Sequence, residues 1–105
     1  MTPQIKRIRR MEQALNRSAA ALASLSEALE KYEAVKSSLA ALQEYYSGPI
    51  WRRDFEDDSK GLIPKELPRG VLSEDALYDL LTENDRLMQQ LRALAKESPL
   101  PDRPG

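Results

Sequence analysis

The residues best equipped for chemistry in this chain lie between Tyr45 and Tyr78. Asp54 and Asp58 stand one helical turn apart. With Glu56, Asp57 and Asp75 they offer a carboxylate pair for general acid and base work, or oxygen ligands for a hard metal ion. Arg52, Arg53 and Arg69 offer guanidinium groups to a phosphate or carboxylate, and Tyr45, Tyr46, Trp51 and Tyr78 offer aromatic faces for stacking. A small-ligand site, for a nucleotide-like anion, would be built where such residues concentrate in the one non-periodic part of the chain.

Composition removes most other chemistry. The 105 residues include no His and no Cys, so imidazole or thiolate metal sites, Cys nucleophiles and His-based triads are excluded within the chain. The stretch from Glu56 to Leu67 fails as a calcium loop, because Lys60 falls on a ligand position and Leu67 stands where the bidentate Glu belongs. There is no glycine-rich phosphate loop, and no hydroxyl nucleophile has an evident base. The plainer reading of the carboxylates is a solvated acidic face and a helix cap, with the aromatics filling a core. Arg52 and Arg53 are followed by Asp54, Glu56, Asp57 and Asp58, and local ion pairs could neutralise them without any ligand. The expectation is a non-enzymatic chain with no cofactor and no metal.

These residues must be positioned by helices. From Ile5 through Ile8, Met11, Leu15, Leu22, Leu25, Leu29, Tyr32, Val35, Leu39 and Leu42 to Tyr46 the apolar residues recur by threes and fours, with Ser18 in the single gap. That is a helix seam. It is heptad-like from Met11 to Tyr32, and the extra three to Val35 is a stammer that interrupts supercoiling. Thr2 as N-cap and Pro3 at the first helical position start the helix, and Ser47, Gly48 and Pro49 end it. The expected elements are a helix over 3–46, a short helix over 49–58 with Ile50, Trp51 and Phe55 on its apolar face, an ordered loop over 59–72 whose side chains dock on the helices, and a helix over 74–97. Ser73 is the N-cap of this last helix, Glu74 and Asp75 suit its positive end, and Leu72 with Leu77 forms a hydrophobic staple. Its seam reads Leu77, Leu80, Asn84, Leu87, Leu91 and Leu94, widened by Leu81 and Met88. Asn84 is either a register-setting polar seam residue or an edge residue facing water. Residues 98–105, with three prolines, read as a flexible tail.

The fold class is therefore all-α: a long, coiled-coil-like helical hairpin with a short helix and ordered loop inserted between its two long helices, in one domain over 1–97. A core of this size is marginal for a monomer, and no disulfide can help it. The second long helix spans roughly 36 Å against roughly 65 Å for the first. Folded back, it leaves Ile5, Ile8, Met11 and Leu15 without an intrachain neighbour. The expected remedy is a homodimer through Ile5, Ile8, Met11, Leu15, Ala19 and Leu22, parallel or antiparallel. The small-residue patch from Ser18 to Ser24 would lie near the crossing, although helix propensity alone also accounts for its alanines. Lys6, Arg7, Arg9, Arg10 and Arg17 form a basic cluster, but a formal net charge of −1 gives no general attraction to a polyanion, and nucleic acid is not expected as a partner. No signal-like or membrane-spanning run is present, and a soluble, cytoplasmic protein is expected.

The patterns WRRDFEDD from Trp51 to Asp58 and GLIPKELPRGVLSEDALYDLL from Gly61 to Leu81, after an acidic, Leu-rich helix ending in Tyr45 and Tyr46, resemble the bacterial domain-of-unknown-function family numbered 4298. The resemblance implies a helical bacterial protein and supplies no activity, cofactor or catalytic residue. Two functional expectations remain from the residues themselves. The first is a homodimeric helical module for protein–protein contacts. The second is a small-ligand binder using Tyr45, Tyr46, Trp51, Arg52, Arg53, Arg69 and Tyr78.

Overall fold

The computed structural model describes residues 2–97; the tail expected over 98–105 lies outside them. The described residues form three α-helices and one short 3-10 turn: α1 (Pro3–Ser47), α2 (Pro49–Ser59), the turn Gly70–Leu72, and α3 (Glu74–Lys96). α1 and α2 begin at Pro3 and Pro49, and α3 begins directly after Ser73. Thr2 caps α1 through its Oγ1, which accepts the Ile5 N–H at 3.2 Å. At the other end the Ser47 hydroxyl folds back to the Gln43 carbonyl at 2.7 Å. Gly48 then takes an extended conformation, and Pro49 opens α2.

α2 is closed by a complete Schellman arrangement. The Gly61 N–H bonds to the Asp58 carbonyl at 3.0 Å and the Leu62 N–H to the Asp57 carbonyl at 2.9 Å. Gly61 sits at φ +74°, in the left-handed region that favours glycine.

The chain divides into two units, Met1–Ser38 and Leu39–Gly105. In the second, Trp51 (7% exposed), Leu72 (8%) and Leu77 (3%) form the buried core, with Leu42, Tyr45, Tyr46 and Phe55 packed around it. Leu72 and Leu77 share this cluster, as the staple requires. Ser73 holds the N-cap position of α3, but its side chain makes no capping hydrogen bond. The staple and the acidic first turn, Glu74 and Asp75, therefore define this helix start.

Three expectations about faces are corrected. Ile50 is exposed, because it lies about 100° around α2 from Trp51 and only the Trp51 and Phe55 side meets the core. The 60–72 segment is docked mainly through Leu72, the half-buried Ile63 and polar bonds, whereas Leu62 and Leu67 remain exposed. On α3 the covered line is Leu77, Leu81, Asn84, Met88 and Leu91, while Leu80 (44%), Leu87 (41%) and Leu94 (60%) are exposed. The apolar surface of α3 is wide enough for two adjacent lines at helical spacing, and the structure covers one of them. Asn84 belongs to that half-buried line.

The first unit contains only α1 residues within its helical part, and α1 has no buried residue along its whole length. Ile5, Ile8, Met11, Leu15, Leu22, Leu25, Leu29 and Val35 are each between 44% and 66% exposed.

Candidate functional site

The polar and aromatic residues between Tyr45 and Tyr78 are arranged by the turn at Gly48 and the Schellman turn at Gly61, which bring three segments together around one face of α2. Asp54 and Asp58 share that face and take their partners from different segments. The Tyr45 hydroxyl, from the end of α1, donates to Asp54 Oδ2 at 2.6 Å. The Arg69 guanidinium, from the loop before α3, forms an ion pair with Asp58. Three residues before Asp54 on α2, Trp51 donates its indole N–H to the Val71 carbonyl at 2.9 Å. These three bonds tie α1 and the loop onto α2, and both carboxylates act as tethers. Spacing alone shows that they share a face, but their partners lie nine and eleven residues away across turns.

The Tyr45 phenol is pushed up to about 12, first by burial and then by its hydrogen bond to, and the charge of, Asp54. A phenol held protonated in this way is a donor and not a base at neutral pH.

Trp51 is sealed by its neighbours. Phe55 stacks on it with ring centroids 5.3 Å apart and planes 19° from parallel, and Tyr46 meets it edge-on at 5.0 Å and 70°. Its faces are thus withdrawn from any ligand, and Tyr46 is committed to the same cluster. Arg52 and Arg53 are exposed and, among the described residues, make no ion pair or hydrogen bond; the local pairing with Asp54, Glu56, Asp57 or Asp58 does not form. Tyr78 is exposed on α3.

A crevice of about 250 Å³ does open beside this cluster, lined by Tyr45, Asp54, Ile63, Leu67, Pro68, Arg69, Val71 and Leu72. It brings Tyr45 and Arg69 together, but Tyr46, Trp51, Arg52, Arg53 and Tyr78 do not line it. It is smaller than the roughly 300–1,000 Å³ usual for small-molecule sites, and its polar side chains already satisfy one another or Asp58. Among the described residues no group of three or more carboxylates is placed to hold a metal ion.

The second candidate surface is the apolar line of the first unit. All six residues expected at a dimer interface, Ile5, Ile8, Met11, Leu15, Ala19 and Leu22, are exposed. Lys6, Arg7, Arg9, Arg10 and Arg17 are exposed as well. No helix among the described residues is long and apolar enough to cross a membrane.

No curated protein and no solved structure matches this chain. The profile of the family described as Domain of unknown function (DUF4298) matches residues 8–94. That span takes in α2, the 60–72 segment and most of both long helices, and the chain belongs to the DUF4298 family.

Proposed function

We propose that this protein is a non-enzymatic helical interaction module that works as a cytoplasmic homodimer and presents its remaining faces to another protein. The observation that supports the reading is the first unit itself: a helix segment whose large apolar side chains are arranged in one line and, apart from the half-buried Tyr32, all exposed. A helix with an apolar stripe is stable in water when that stripe is covered, because propensity alone holds isolated helices only marginally. The site chemistry of the second unit supports the same reading, since Asp54, Asp58 and most of its aromatics hold segments of the fold together.

Sedimentation equilibrium over a range of concentrations tests this. The wild-type chain is expected to sediment as a dimer, and Leu15→Glu is expected to weaken the dimer at least about tenfold, the equivalent of about 1.4 kcal/mol. A wild-type chain that stays monomeric with α1 fully helical overturns the proposal. Native mass spectrometry of the same sample bears on the ligand reading, for which a constant extra mass lost in Arg52→Ala and Arg53→Ala would be the signature.

A further inference from the structure

We infer that the two copies pair antiparallel through residues 5–35 of α1, about a two-fold axis at Ala20; this rests on the proposed homodimer and specifies its geometry. The apolar line of the first unit reads the same in both directions. Its steps are two threes, then alternating fours and threes, then two threes again. Turning a second copy end for end about Ala20 therefore sets Ile5 level with Val35 and Ile8 with Tyr32. It likewise sets Met11 level with Leu29 and Leu15 with Leu25. The stammer from Tyr32 to Val35, which breaks a heptad read in one direction, makes the Leu29–Tyr32–Val35 spacing the mirror image of Ile5–Ile8–Met11.

Ser18, the one polar member of the line, then meets Leu22 of the second copy and not another serine. A parallel pair would stack Ser18 on Ser18 at the centre. Ala19 and Ala21 flank the line at the two-fold, where small side chains let the helices approach closely.

Charge selects the same orientation. Residues 2–17 carry five cations, Lys6, Arg7, Arg9, Arg10 and Arg17, against the single anion Glu12. Their mirror segment, residues 23–38, carries three anions, Glu27, Glu30 and Glu33, against Lys31 and Lys36. Antiparallel pairing lays the basic segment along the acidic one, with Arg7 level with Glu33 and Arg10 with Glu30. A parallel pair would lay the basic segment along its own copy. In the antiparallel pair the two Lys6 positions are about 42 Å apart along the axis, several times the screening length of about 8 Å at physiological ionic strength.

The chain has no cysteine, so a single introduced thiol carries a unique spin label. Ala20→Cys and Ala34→Cys both replace exposed alanines, two heptads apart and opposite the apolar line. In the labelled dimer, pulsed dipolar spectroscopy is expected to give a short distance at position 20, set by the width of two helices of about 10–12 Å each. At position 34 it is expected to give an axial separation of about 42 Å, from twenty-eight residues at about 1.5 Å each. Short distances at both sites mean a parallel dimer and overturn this inference while leaving the proposed homodimer intact. A long distance at position 20 in a sedimenting dimer overturns it too. No coupling at either site together with a monomer by sedimentation overturns both.

Discussion

Truncating Leu77 to Ala is the sharpest test of what holds the second unit together. Leu77 is the most buried of its three core residues, at 3% exposed, and it links α3 to both Leu72 and Trp51 through one cluster. Leu→Ala changes in cores cost about 2–5 kcal/mol, the spread reflecting how far the site collapses. Here the surrounding Leu42, Tyr45, Tyr46 and Phe55 are only partly buried, so they can relax into the gap, and the loss is expected at about 2–3 kcal/mol. That is a large fraction of the roughly 5–15 kcal/mol that stabilises a typical domain. Leu80→Ala, three residues along the same helix but 44% exposed, is expected to cost about 1 kcal/mol or less. Urea unfolding followed by the emission of Trp51 reads both variants, at several protein concentrations so that any contribution of assembly is separated. A Leu77→Ala variant within about 0.5 kcal/mol of wild type, or a Leu80→Ala variant equally destabilised at every concentration, would refute this account of the core.

Two further outcomes follow from single interactions. Because the folded Tyr45 phenol titrates near 12 and the unfolded one near 10, the unfolded chain loses its proton first as pH rises. The stabilisation from this group is therefore complete below pH 10 and lost between about pH 10 and 12; urea midpoints across that window should fall less steeply in Tyr45→Phe, and Asp54→Asn should move one tyrosine back toward 10 in a spectrophotometric titration. Gly61→Ala forces a side chain into the left-handed conformation at φ +74° and is expected to cost about 1–2 kcal/mol, read as a lower melting temperature, with Gly61→Asn costing less.

The helices were legible because their ends are written in local chemistry: Thr2 and Pro3, Gly48 and Pro49, Gly61, and the Leu72–Leu77 staple all act within a few residues of themselves. Which face each helix buries was less so. Leu80 and Leu81, or Leu87 and Met88, are equally apolar neighbours about 100° apart, and only the arrangement of other segments decides which is covered. The same holds for the site. The shared face of Asp54 and Asp58 could be read from their spacing, but their engagement by Tyr45 and Arg69 depends on two turns closing first. Trp51 carried both a stacking and a core reading, and Phe55 four residues on supplied the partner that commits it to the core.

The tethers around α2 also bear on how fast this part of the chain finds its structure. They join residues nine, eleven and twenty positions apart, so each closes a short loop whose entropy cost is small and grows only slowly with length. Domains dominated by such short-range closures fold in microseconds to milliseconds. Residues 45–72 can thus be in place on α2 early, and the proposed assembly would begin from a prefolded segment.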